Sequence, residues 1–237
     1  MRVEAPFPVL APAAAPRGVT LADVAERRLR EDITTNALAP SARLRLEELR
    51  DRYEVGASPL REALSRLVGE GLVEVEGNKG FRVAPLSFAD LDDIAWMRAT
   101  IEGAAVREAI ARGDAAWEAG ILAALHRLLR ATGSTLADRA PLEVWNREHD
   151  GFHRALVGAC GSPRAMEMGA RLEAEHRRYR VALIGDGLPG ELIVAEHRAL
   201  ADAALARDAD ETAALLARHM RITSDFYANQ LRQAAAE

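Results

Sequence analysis

Cysteine is almost missing from this chain. Cys160 stands alone, which excludes an intrachain disulfide framework and a cysteine-rich zinc finger and fits a reducing compartment. Lysine is just as scarce. Lys79 is the single example, so arginine supplies every other fixed cation, a bias that reads as codon usage more than as function. No run of about 18 or more apolar residues occurs, so a membrane span is not expected. The opening MRVEAPFPVLAPAAAP carries Glu4 and repeated prolines where a secretory leader needs a basic stretch and a clean apolar run. Residues 1–16 are therefore expected to be a flexible tail, and the cytoplasm is the expected compartment. Positive charge is also lacking overall: the net charge is −5, so any attraction to nucleic acid must come from a local patch.

What is present suits two globular domains. The 237 residues are 49% apolar and 28% charged, enough for two cores. In TLADVAERRLREDI, Thr20 and Asp23 form a capping-box pattern ahead of an apolar face of Leu21, Val24, Ala25 and Leu29. After the breaker run TTNALAPSA, the segment LRLEELRDRYEV repeats the helical spacing with Leu46, Leu49 and Tyr53. Gly56 and Ala57 are expected to make a tight turn, Ser58 to cap a third helix, and Pro59 to take its first position. LVEVE and FRVAP then flank the glycine-bounded residues 77–80, a hairpin signal. Three helices and a hairpin over residues 17–85 predict a winged helix-turn-helix.

From Ser87, which pairs with Asp90 as a cap, the chain reads as helix throughout. Six amphipathic segments separated by breaks at 113–114, 133–134, 161–162, 185–187 and Asp208 predict an all-α antiparallel bundle over residues 86–237. The fold class is thus mainly α, in two parts.

In a helix-turn-helix the second helix of the pair enters the major groove by its N-terminal end. That helix begins at Ser58, and Arg61 lies near the entering end, where a guanidinium can grip a guanine edge or a phosphate. Ser58 and the helix N-terminus can hold a phosphate oxygen. Arg66 shares the helix, and Arg45 and Lys79 are candidate phosphate contacts at the entry to helix two and at the wing tip. The plain alternative is that Arg61, Glu62 and Arg66 form a solvated helix face.

The second half holds the histidines. His149 and His153 are one turn apart, so both rings share a face and can bind one ion together. His197 and His219 lie on two later helices that a bundle can bring to the same interior point. Four imidazoles suit a divalent ion such as zinc or nickel. The alternative is that these rings are ordinary surface or core histidines, the reading given to His126 and His176, which sit in basic amphipathic runs without shared spacing.

The stretch SPLREALSRLVGEGLVEVEGNKGFRV resembles the DNA-binding domain of the GntR family of bacterial regulators, the likeness running from about Val24 to Pro85. Residues 88 to 222 resemble the FCD ligand-binding domain of its FadR-like branch, on MRATIE, DGFHRALVGACGSP and AEHRALADAALARDADETAALLARHM. The resemblance implies a homodimeric transcription regulator, by family habit a repressor, that presents two reader helices to pseudo-palindromic operator DNA. It implies a metal held at positions falling on His149, His153, His197 and His219, a small carboxylate effector, and Arg98 facing that effector. Arg98 has an alternative use in an ion pair with Glu102, one turn on. The chain departs from the family pattern at Gly56 and Ala57, where a Ser-Arg pair is usual, at Leu46 and Glu47, and at His149, where an oxygen ligand is usual. No enzyme is expected. Two other readings stay open: a regulator whose metal-free helical half only dimerises, and a metal-dependent enzyme using Glu148 or Asp150 for acid–base work.

Overall fold

A computed structural model describes residues 18–77, 80–133, 140–183 and 190–234. The expected tail at 1–16, Lys79 at the wing tip, Ser134 and the turn at 185–187 lie outside the described residues. By internal contacts the chain divides into two compact units. The first holds residues 18–32 and 42–84, and the second holds 33–41 and everything from Pro85 onward.

The first unit starts with α1 (Leu21–Thr34). Its N-terminus is closed reciprocally: the Thr20 N–H donates to Asp23 Oδ2 at 2.8 Å and the Asp23 N–H donates to Thr20 Oγ1 at 3.1 Å. The buried stripe is Ala22, Ala25 and Leu29, while Leu21, expected on that face, points outward and is exposed. β1 (Arg43–Leu44) precedes α2 (Leu46–Tyr53) and α3 (Ala57–Gly69), and β2 (Val73–Val75) and β3 (Phe81–Val83) follow. The sheet runs β1-β3-β2, antiparallel, with Leu44 opposite Phe81 and Val73 opposite Val83. The expected two-stranded wing therefore gains a third strand. Two residues are too short to show a period of two, so β1 left no pattern to read.

The turn between α2 and α3 also differs from expectation. Glu54, at φ 54°, is the left-handed residue that ends α2, while Gly56 is extended and stands at the N-cap of α3. Ala57 opens that helix, so Ser58 does not cap it and Pro59 takes its third position. On α3 the buried side chains are Leu60, Ala63, Leu64 and Leu67, an unbroken i, i+3, i+4, i+7 stripe. Leu64 is fully buried. Leu64→Ala is expected to cost about 2–5 kcal/mol in urea unfolding of the full chain, and a loss under about 1 kcal/mol would contradict this core.

The second unit is helical: α4 (Phe88–Arg112), α5 (Ala115–Thr132), α6 (Leu142–Val157), α7 (Pro163–Leu183), α8 (Gly190–Leu205) and α9 (Ala209–Ala234). Short polar caps set the boundaries. Ser87 accepts from the Asp90 N–H, Asp114 from Trp117, Ser162 from Ala165 and Asp208 from Glu211, at 3.0 to 3.2 Å. α4 packs on α6, α7 and α9, α5 packs on α6 and α8, and α8 packs on α9. Val106, Ile121, Leu128, Phe152, Leu156, Leu200 and Leu216 form the centre of the apolar core. The Trp117 indole N–H is shared between the Ala155 and Leu156 carbonyls at 3.0 and 3.2 Å, which joins α5 to the end of α6. Among the described residues, no helix is long and apolar enough to cross a membrane. Beside this core lies a buried polar layer drawn from α4, α6, α7, α8 and α9, and it holds the candidate site.

Candidate functional site

α6, α8 and α9 bring four imidazoles to one point. His149 and His153 come from one face of α6, His197 from α8 and His219 from α9. One nitrogen from each lies within 4.8 Å of the others, and all four side chains are buried. Ring centroids are 4.7 to 6.0 Å apart. The His197 Nδ1 donates to the Ile193 carbonyl at 2.7 Å, and His219 Nδ1 donates to Glu196 Oε2 at 2.9 Å. His153 Nδ1 faces Glu102 Oε2 at 3.6 Å. Outer acceptors of this kind fix ring orientation and leave Nε2 as the lone-pair nitrogen. Both nitrogens of His153 and Nε2 of His197 are buried with no hydrogen-bond partner among the described residues. Unsatisfied inward lone pairs of this sort are what a cation would resolve, so the donor set fits a divalent metal.

The electrostatics keep His149, His153 and His197 neutral. Burial drives His153 down to about 4, against the opposing pull of Glu102. Burial, with Arg180 and the neighbouring imidazoles, holds His149 well below the ordinary histidine range, and burial with His219 and His153 does the same for His197. Burial alone would raise Glu102, yet Arg98 and His153 hold its carboxyl at about 2. Glu173 goes the other way, pushed up to about 8 by burial and by Asp150.

These shifts set a stability optimum for the chelator-treated protein. Below about pH 6.5 the unfolded imidazoles take up protons that the buried ones refuse, so stability falls as pH falls. Above neutrality the folded state retains a proton on Glu173 that the unfolded state has released, so stability falls again as pH rises toward 8. Melting temperature is expected to peak at about pH 6.5–7. A curve flat from pH 7 to 5, or still rising at pH 8.5, would contradict these environments.

One small cavity lies against this cluster, lined by His149, His197 and His219 together with Arg98, His176 and Arg180. Arg98 is 1% exposed, and its Nε donates to Glu102 Oε1 at 2.7 Å. Its Nη2 has no partner among the described residues. The ion pair expected as the alternative use of Arg98 is thus formed, and one guanidinium nitrogen is still left over for another acceptor. Sequence reasoning gave His176 only the plain surface-or-core reading and did not single out Arg180, and α7 buries both on the cavity wall. His126, by contrast, is exposed on α5. Asp150 is held by Arg177 and by Arg180 at 2.7 Å, and its Oδ1 also lies 3.3 Å from His149 Nδ1, at the edge of the imidazole cluster.

In the first unit, Arg61 projects from the exposed side of α3 into a shallow concavity it shares with Arg43, Arg45, Glu47 and the wing glycines Gly77 and Gly80. Its guanidinium makes no ion pair among the described residues. Arg45 is exposed and pairs with Glu48 at 3.0 Å, and Arg43 pairs loosely with Glu76 at 3.4 Å. Ser58 is exposed on the first turn of α3. Arg66, expected among the DNA contacts, is committed elsewhere. It bonds Asp23 at 2.7 Å, Glu26 at 3.0 Å and Glu62 at 2.7 Å, tying α3 to α1, and it does not line the concavity.

Residues 21–83 match the bacterial regulatory proteins of the gntR family, and residues 93–222 match the FCD domain. The chain belongs to the GntR family. Its helical half is an FCD domain, and its N-terminal winged helix-turn-helix is the GntR DNA-binding domain. The chain is 38% identical to BphR of Paraburkholderia xenovorans, an HTH-type transcriptional regulator, over 85% of this chain and 82% of that protein. It is 39% identical to the HTH-type transcriptional repressor GlaR of Escherichia coli, over 82% of this chain and 90% of the relative. The fold is similar to E. coli McbR/YncC with a TM-score of 0.73 and 23% identity, covering 90% of this chain and 99% of that one. This GntR-family protein is a transcription regulator with a DNA-binding domain, not an enzyme.

Proposed function

We propose that this chain is a cytoplasmic, ligand-responsive repressor that binds operator DNA as a homodimer and is released by a small carboxylate or hydroxy acid bound beside a divalent metal. On this reading residues 17–85 hold the DNA and residues 86–237 hold the effector and the dimer contact. The observation that carries it is the convergence of buried imidazoles from three helices beside a buried arginine that keeps one nitrogen free. His153, His197 and His219 would hold the ion, with His149 close beside them, and the nitrogen donors favour zinc or nickel over magnesium or calcium. When bound, the ion would supply a positive anchor for the carboxylate and hydroxyl oxygens of an effector. Arg98 would meet a carboxylate oxygen with Nη2. Arg61 and Arg45, with Ser58 and the α3 N-terminus, would meet the DNA. Repression is supported by the name of GlaR.

An effector acts only through unequal affinity for the two states, and a preference of roughly 100-fold supplies about 2.7 kcal/mol, enough for partial release. The test is a gel shift on an operator fragment selected from random duplexes with the purified chain. Hydroxy-acid and dicarboxylate panels are titrated with zinc present and with chelator present. At least one acid is expected to release the DNA only in the presence of metal. Release that is indifferent to chelator would favour the metal-free scaffold instead.

A further inference from the structure

The four-imidazole cluster is not uniform, and the difference lies in what each Nδ1 faces. Arg180 Nη1 donates to His149 Nδ1 at 2.9 Å, and Arg98 Nη1 donates to His176 Nδ1 at 3.1 Å. A guanidinium has only N–H donors and does not lose its proton in a folded protein. Asp150 Oδ1 lies 3.3 Å from the same His149 Nδ1, but it already accepts from Arg180 Nη2 at 2.7 Å and is the longer contact. The ring nitrogen facing the guanidinium is therefore assigned as the lone-pair nitrogen, with the ring proton on Nε2. His197 and His219 are the reverse, since their Nδ1 atoms donate to the Ile193 carbonyl and to Glu196, leaving Nε2 as the lone pair.

His149 cannot easily escape this arrangement. Ligating a metal through Nε2 while Nδ1 accepts from Arg180 would need a fully deprotonated imidazolate. Swinging Arg180 aside would strand two further acceptors, because its Nε donates to Asn146 Oδ1 at 2.6 Å and its Nη2 to Asp150 Oδ1 at 2.7 Å. His176 is 3% exposed, and its Nε2 has no partner among the described residues. His149, His176 and Arg98 all line the same cavity.

We propose that the cavity is divided by tautomer: His153, His197 and His219 offer lone pairs to the cation, whereas His149 is no ligand and, with His176 and Arg98 Nη2, forms an N–H cradle for the effector's carboxylate. This deepens the metal-and-carboxylate reading above and rests on it. The two arginines act as positioning residues, each fixing the proton of one histidine.

The test has three arms on the full chain. First, zinc is returned to chelated protein and counted: His149→Ala is expected to keep about one zinc per chain while His153→Ala weakens zinc binding at least about 100-fold. Second, long-range nitrogen–proton correlation of ¹⁵N-histidine in the unsubstituted, zinc-free chain is expected to show Nε2–H for His149 and His176 and Nδ1–H for His197 and His219. Third, acetate as a probe is expected to shift the ring signals of His149 and His176. A His149→Ala chain that loses zinc as His153→Ala does, or a Nδ1–H proton on His149, would overturn the division. Acetate that leaves both rings unmoved would overturn the cradle. An unsubstituted chain that takes up no zinc sinks the metal reading alone, and the tautomer spectrum still decides the donor role of His149.

Discussion

Replacing His197 with alanine is expected to weaken zinc binding at least about 100-fold, since losing even an outer partner of a ligating histidine typically costs 10–100-fold. His197 is the cleanest choice among the ligands. Its Nδ1 is spent on the Ile193 carbonyl within its own helix, and its Nε2 points inward unsatisfied, so the substitution removes a ligand while breaking a single internal hydrogen bond. Competition with a chromophoric chelator measures the affinity. Glu196→Gln provides a graded comparison, because it weakens the acceptor that orients His219 and leaves every ring in place. It is expected to cost less than His197→Ala, within about 10–100-fold. Equal zinc affinity in His197→Ala and the unsubstituted chain would show that the rings converge for packing and not for a cation.

Arg61→Ala is expected to weaken operator binding by about 10–100-fold, the range of about 1–3 kcal/mol for one well-placed base contact. Arg66→Ala is the matched control from the same helix, five residues on. Its guanidinium is held by Asp23, Glu26 and Glu62, so its removal is expected to lower the melting temperature slightly while operator affinity stays within about threefold. Fluorescence anisotropy at a fixed salt concentration reads both variants, because phosphate contacts make any affinity salt-dependent. An Arg66→Ala chain that binds as weakly as Arg61→Ala would place the DNA on the wrong face of α3.

The contrast between those two arginines shows where sequence reading reaches its limit. A spacing of five turns Arg61 and Arg66 to different sides of α3, but two of the three acidic partners of Arg66, Asp23 and Glu26, come from α1, some 40 residues earlier. No local pattern carries such a pairing. Two helical caps were legible because a cap is local chemistry: Thr20 with Asp23 and Ser87 with Asp90 act within three residues. The paired histidines of α6 were legible for the same reason. Asp114 and Asp208 were read only as breaks, though each caps the helix that follows, and Ser58, read as a cap, gives way to Gly56.

Other features were hidden by length or by habit. β1 is two residues long, and its strand character comes from pairing with β3 about 40 residues later. At the α2–α3 turn the nearby Gly56 drew attention from Glu54, although glutamate in the left-handed region carries a steric cost that glycine would avoid. The basic run AEHRRYR on α7 looks like a solvated face, yet Glu173, His176 and Arg180 are buried. They recur at intervals of three and four residues, which is a helical stripe. A stripe of polar residues at that spacing was the available signal for a buried cavity wall.

Anomalous diffraction at the zinc edge, from crystals of full-length protein purified without chelator and soaked in zinc, asks the decisive question directly. One peak per chain is expected inside the helical half, within ligand distance of His153, His197 and His219. A density map with no anomalous scatterer among those rings would contradict a metal-centred effector site.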